Sequence, residues 1–531
     1  MNKAVFFICL AVSQLIANGQ PVKRINILPG EKWYGAAVNE GEKMPFSEGY
    51  FLNLNGDIKG NQAAPLLLSS KGRYAWSDDP FAFTVSNNEI VFSEFIDTVI
   101  IGSGGKDLRG AYFKASELFF PPKGLLPDML LFERPQYNTW IELIYNQNQK
   151  DILKYAHDII DNGFSPGVLM IDDNWAPAYG VFQFRKDRFP DAGAMINELH
   201  SMGFKVMLWV CPFISPDSEV SRDLLKRKLV LMNNEGNPGM TWAEASTPSI
   251  INWWNGYSMV LDFTNPETVE WFSGQLNNMV TEYGLDGFKL DAGDPEYYPE
   301  SSVSFTKVTS NEHTELWGMF GLDYPLNEYR AMWKRGNEPI VERLRDKFHT
   351  WNDLRKLVPH ITVASLLGYT FACPDMIGGG DYSSFVSGAT LDQELIVRSA
   401  QCHALMPMMQ FSVAPWRVLD EEHLAAVKKA VEIRQSFVPY IIRLASISAK
   451  TGEPIVRNLE YEFPHQGFDD CADQFMLGDS IMVAPMLESG NSREVMFPKG
   501  TWKDKDNVVI KGPVRKRFNV PLDELLWFKK K

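Results

Sequence analysis

The sequence predicts an α/β protein: a (β/α)8 barrel flanked by an N-terminal β-sandwich and a small C-terminal β domain. Three observations predict it. Short apolar strand-like runs alternate with helical patterns through the middle of the chain. Stretches of β-rich text with turn residues precede and follow that region. Several of the central buried runs also stop on an aspartate, where parallel strands of α/β barrels carry their working side chains. A doubly wound sheet is the second choice. At 531 residues the chain is too long for one core, so several domains are expected.

Taken in order, residues 1–19 read as a signal peptide: Lys3, an apolar run from Ala4 to Ile16, then the small residues of Ala17-Asn18-Gly19. That leader predicts export to the periplasm or the medium, with no membrane insertion of the mature chain. Residues 20–126 form the sandwich, with runs such as Glu89-Ile-Val-Phe-Ser93 between turns. Gly102-Ser-Gly-Gly-Lys106 lacks both the spacing and the following Ser or Thr of a phosphate loop, and reads as a turn. Pro121, Pro122, Gly124 and Pro127 mark a linker.

The barrel spans 127–452. Strands are expected at 167–171, 204–210, 257–263, 287–290, 369–373 and 404–411, and helices at 191–202, 268–283 and 424–450. Gly284 and Gly452 supply helix stops. The connection from Pro212 to Asn255 is long enough to suggest function; its Trp242, Trp253 and Trp254 could wall a sugar site or simply pack the loop. Residues 453–531 are β-like again and form the last domain.

Composition excludes some functions. The net charge of -14 lacks the basic footprint nucleic acid demands. The cysteines show no metal-ligand spacing and no disulfide framework, so neither metal nor organic cofactor is expected. Aromatic residues are abundant at 13%, with 15 Trp, which suits sugar recognition and core packing alike. No Gly-x-Ser-x-Gly or His-Glu-x-x-His site is present.

Splitting a glycosidic bond needs two carboxyl groups, one ionised and one protonated. Asp172, Asp173, Asp291, Asp294, Asp346 and Asp375 are candidates, and strand-tip position brings forward Asp172, Asp173, Asp291 and Asp375. Asp291 could equally cap the next helix. Asp346, within Glu-Arg-Leu-Arg-Asp-Lys-Phe-His, reads by itself as part of a charged helical face.

The text from the linker almost to the C-terminus resembles glycoside hydrolase family 31. Asp473-Gln-Phe-Met-Leu-Gly-Asp-Ser-Ile-Met-Val-Ala-Pro485 looks like that family's C-terminal signature, and Gly452-Glu-Pro-Ile-Val-Arg-Asn-Leu-Glu-Tyr-Glu-Phe-Pro464 like the stretch before it. The resemblance implies residue roles. Lys289-Leu290-Asp291 fits the motif that ends on the nucleophile after the fourth barrel strand. Asp346 stands five residues before Trp351, the spacing of the acid/base, although Arg345 replaces the family's usual glycine. Asp172 matches a sugar-binding aspartate, and Asp173, Lys289, Trp209 and Arg330 join it as substrate-binding candidates. Asp375 lies in Pro374-Asp-Met-Ile-Gly-Gly379, a motif that supports the site.

One departure bears on specificity. Family α-glucosidases carry Arg-Asn-His after the eighth strand, where Met409-Gln-Phe-Ser412 stands here. With Lys289 replacing the usual Trp, the motifs look most like the branch containing the mammalian myogenesis-regulating glycosidase. That resemblance implies a retaining exo-α-galactosidase acting on a small glycoside or oligosaccharide. Other specificities of the family, such as α-glucosidase or α-xylosidase, and a non-catalytic carbohydrate-binding protein remain alternatives.

Overall fold

The computed structural model describes residues 21–386 and 390–531. The expected signal peptide lies outside the described residues. Among those described, no helix is long and apolar enough to cross a membrane.

The centre is a parallel barrel whose strands run in chain order: β1 Gln136–Asn138, β2 Val168–Ile171, β3 Lys205–Val210, β4 Gly287–Leu290, β5 Asn327–Tyr329, β6 Glu342–Arg343, β7 Ala372–Cys373 and β8 Gln410–Phe411. β8 pairs β1 through Gln410 and Gln136, and a parallel bridge from Met376 to Gln410 closes the ring beside β7. Helix Pro266–Tyr283 follows from local chemistry. Asn265 caps its N-terminus, Pro266 occupies the first turn, and Gly284 ends it at φ 80°. Helix Glu421–Thr451 ends the same way on Gly452 at φ 73°.

The connection from β5 to β6 carries no helix. Met332–Trp333 leaves the barrel there and pairs in parallel with Gln62 and Ala63 of the N-terminal domain. Ala331 and Trp333 are buried in that domain's core, beside Leu67, Phe81 and Phe83. The domain itself stacks a four-stranded sheet against a second sheet to which Met332–Trp333 belongs. The C-terminal domain is a six-stranded sheet dominated by the long hairpin Ser492–Lys503 and Val509–Asn519. The four cysteines of the described residues, Cys211, Cys373, Cys402 and Cys471, are unpaired.

Three expectations are corrected. Residues 257–263 supply no barrel strand: Gly256–Val260 pairs with Ile250–Trp253 and Phe213–Ile214 in a small antiparallel sheet above the barrel. Its apolar side packs in a satellite cluster with Trp253, Phe213 and Tyr298 rather than in the barrel wall, which is why it reads as a buried strand. Of residues 404–411, Ala404 ends helix Gln393–Ala404, a turn and irregular chain follow, and only Gln410–Phe411 is strand. Asp346 does not sit on a helical face. Glu342–Arg343 is β6, and the helix begins at Trp351, capped by Thr350.

Candidate active site

The barrel interior is polar where such barrels are usually filled by branched apolar residues. Gln410 donates from Nε2 to Gln136 Oε1 at 2.8 Å and to Glu328 Oε2 at 2.7 Å. Glu328 in turn lies 3.3 Å from the Arg343 guanidinium. Burial raises the Glu328 carboxyl, and the charges of Arg343 and Lys289 only partly offset it.

Above this layer, at the C-terminal ends of the strands, opens a cleft of about 830 Å³. Asp172, Asp173, Trp209, Lys289, Asp291, Arg330 and Asp346 all line it, so residues far apart in the chain meet in one place. Asp375 lies behind them, 1% exposed.

Asp291 follows β4 directly and is 9% exposed. Its Oδ1 accepts from Arg330 Nε at 3.0 Å and from the Ala292 amide at 2.8 Å; its Oδ2 accepts from Trp209 Nε1 at 3.0 Å. Burial alone would raise this carboxyl. The charges of Arg330, Lys289 and Arg343 together outweigh burial and hold it well below the usual carboxylate range. The chain turns sharply after it, with Ala292 at φ 57° and Gly293 at φ 77°. A side chain at Gly293 would put its Cβ 2.2 Å from the Trp317 ring, so only glycine fits.

Arg330 is fixed on three sides. It donates to Asp291, to both oxygens of Asp294, and at 2.7 Å to the Gly60 carbonyl of the N-terminal domain. Trp254 lies over its guanidinium at 5.7 Å to the ring centroid. Lys289, 4% exposed, donates to Asp172 at 2.7 Å. Burial and Arg343 would lower the lysine, but Asp172, with Asp291 and Glu328, outweighs them and raises it.

Asp346 is the open member of the set, with 37% of its side chain exposed. Arg343 Nη1 donates both to Asp346 Oδ1 and, at 3.0 Å, to Asp375 Oδ1. Asp375 also accepts from the amides of Lys347 and Gly380 at 2.8 and 3.2 Å. Burial and the charge of Asp346 push Asp375 up to about 7, against the pull of Arg343 and Lys347.

Asp173 is held differently. Tyr179 donates to both its oxygens at 3.1 Å and Asn255 to Oδ2 at 2.6 Å. Burial and neighbouring Asp172 push it up to about 7. Asn255 belongs to the tip of the hairpin Ile250–Trp253 and Gly256–Val260, so the long 212–255 connection is pinned against the cleft. The adjoining Trp254, 47% exposed, forms part of its wall.

Sequence reasoning did not single out Arg343, Asn255 or Gly60. Arg343 was masked by its charged neighbours, and its position three residues before Asp346 was the available signal. Nothing local marks Gly60 or Asn255, whose roles arise only when separate domains and loops meet.

The family model described as "Glycosyl hydrolases family 31 TIM-barrel domain" matches residues 132–343 and 344–444, and the "Glycosyl hydrolase family 31 C-terminal domain" matches 452–531. The chain belongs to glycosyl hydrolase family 31. It is 34% identical over 441 residues to the myogenesis-regulating glycosidase of Mus musculus, covering 80% of this chain and 60% of that protein. It is 25% identical over 462 residues to alpha-glucosidase 2 of Bacillus thermoamyloliquefaciens, covering 80% and 55%. The chain thus spans less than two thirds of these relatives. The family 31 dextranase of Flavobacterium johnsoniae, complexed with glucose, superposes with a TM-score of 0.83 over 97% of this chain and 67% of the other, at 19% identity, a likeness of fold.

Proposed function

We propose that the protein is a retaining exo-α-glycosidase that hydrolyses terminal α-linked galactose. The observation that carries the reading is Asp291: a buried carboxylate kept ionised by Arg330, Lys289 and Arg343, in a cleft it shares with the more open Asp346. An ionised carboxylate facing a protonatable one is the pairing that glycoside hydrolysis uses.

In the proposed reaction the glycone sits at the floor of the cleft against Asp172 and Lys289. Asp291 attacks the anomeric carbon while Asp346 gives a proton to the departing oxygen, breaking the glycosidic bond and forming a covalent glycosyl ester. Asp346 then takes a proton from water, which displaces Asp291 and releases the sugar with its α configuration kept. No metal or organic cofactor takes part. Exported localisation, from the apolar N-terminus, belongs to the same proposal.

Two features support galactose over glucose. Ser412, where family α-glucosidases carry a sugar-binding histidine, is fully buried, and its hydroxyl accepts from the Ile141 amide. Lys289 brings a charged donor to the floor of the cleft, suited to an axial hydroxyl. Likeness to the myogenesis-regulating glycosidase points to a glycosidase of the same branch.

The test is hydrolysis of aryl α-galactoside, α-glucoside and α-xyloside by wild type and Asp291→Ala. Galactoside cleavage lost in the variant supports sugar and nucleophile together. Preference for glucoside or xyloside overturns the specificity and leaves the mechanism. Silence on every glycoside, natural disaccharides included, overturns the enzyme reading.

A further inference from the structure

β5 and β6 form one of the two weak joints of the barrel, the other being the Met376–Gln410 closure. One residue pair, Tyr329 with Glu342, joins them, and no helix bridges the two strands. Yet the two arginines that follow or end these strands hold the two candidate catalytic carboxylates: Arg330 bonds Asp291, and Arg343 bonds Asp346.

The missing ladder is replaced from outside the barrel. Asn61 Nδ2 donates to the Arg330 carbonyl at 2.8 Å and to the Arg343 carbonyl at 3.1 Å. Gln62 Nε2 donates to the same two carbonyls at 2.7 and 2.9 Å. Two amide groups thus spend both their N–H donors on two carbonyls, and each carbonyl accepts twice, closing a ring of four hydrogen bonds. Both side chains are fully buried. The Gln62 amide also neighbours the buried Glu342 carboxyl of β6, and the Asn61 amide oxygen has no partner among the described residues. The preceding residue, Gly60, accepts from Arg330 Nη1, so three consecutive residues of the N-terminal domain grip the same joint.

We propose that Asn61 and Gln62 are positioning residues for the reaction: their amide ring fixes the spacing of Arg330 and Arg343, and through them the placement of Asp291 and Asp346. The N-terminal domain is then part of the catalytic apparatus rather than a separate module. This rests on the proposed roles of the two aspartates, whereas the brace itself is a matter of geometry.

The test uses the full chain carrying Gln62→Met, which keeps size and loses both donors, and Asn61→Ala, a milder variant should the first not fold. Expected is a loss in kcat of about tenfold to a hundredfold with KM changed by less than about threefold, as for misplaced groups that still bind substrate. The acid limb of kcat/KM should also move upward by about half a pH unit or more, because Asp291 loses part of the guanidinium field. The control is Asn337→Ala, which removes another buried amide at the same domain boundary, bonded to Ser116 and Phe120. It should lower the unfolding temperature and leave the limb in place. Wild-type kcat and limb in the folded variants would overturn the proposal.

Crystal structures of the variants read the brace without turnover. Arg330 Nε should leave hydrogen-bond reach of Asp291, and an unchanged 3.0 Å contact overturns the brace. A wild type silent on all glycosides, with the arginines displaced in the variants, would refute the activity and leave the brace standing.

Discussion

Lys289 Nζ donates to Asp172 Oδ2 at 2.7 Å, tying the end of β4 to the tip of β2 across the floor of the cleft. Both side chains are almost fully buried, so each charge depends on the other. Lys289→Met should therefore cost about 3–5 kcal/mol, because it strands Asp172 as an uncompensated buried charge. The double change Lys289→Met with Asp172→Leu should regain much of that loss. Denaturant unfolding of the single and double variants checks this, and a double variant no more stable than the single would count against the pair.

Asp346 should reveal itself through the leaving group. Asp346→Ala should lose about 10²–10⁴ in kcat/KM on a substrate with a poorly acidic leaving group, and far less on an activated aryl glycoside. Azide should restore turnover on the activated substrate and give an α-glycosyl azide, which NMR of the product identifies. Equal losses on both substrates would contradict the acid role.

The pH profile should carry the mark of Asp375. Burial and Asp346 push this carboxyl up to about 7, so it holds a proton below that pH and loses it above. A second negative charge beside Asp346 favours the protonated form that the acid step needs, so ionised Asp375 should hold the alkaline limb of kcat/KM at higher pH. Asp375→Asn, neutral at every pH, should move that limb to lower pH; an unchanged limb would show that Asp375 does not act on Asp346.

Trp254 stands half-exposed on the hairpin tip, fixed by the Asn255 contact with Asp173 and lying over Arg330. An ordered aromatic face on the wall of the cleft can serve as a stacking surface for a sugar ring. Trp254→Ala should raise KM for a disaccharide about tenfold, equivalent to about 1.4 kcal/mol, with kcat little changed. Steady-state kinetics on a disaccharide checks it.

The parts of this molecule that local chemistry dictates were legible. Helix 266–283 announces itself by Asn265, Pro266 and Gly284, and β2, β3 and β4 are continuous apolar runs apart from Lys205 and Lys289. β5 and β6 were not legible. Glu328 and Arg343 serve the barrel's inner network, while Asn327 bonds the Tyr324 carbonyl and the Val341 amide, so no hydrophobic pattern betrays either strand. Asp291 could be found from its strand-tip place, whereas Asp346 needed the family's spacing, since only the fold turns its charged neighbour Arg343 inward. Residues 258–263 have the burial of a core strand without its place in the barrel, so the text alone could not separate the two.

The central claim is that Asp291 is the nucleophile of a retaining α-galactosidase. Incubation with 5-fluoro-α-galactosyl fluoride, followed by intact-mass and peptide mass spectrometry, tests it most directly. One covalent fluorogalactosyl group is expected, carried by the peptide containing Lys289-Leu290-Asp291 and absent from Asp291→Ala. A label on Asp346 or another residue would contradict it, as would no label from this reagent alongside an inverted product from an α-galactoside.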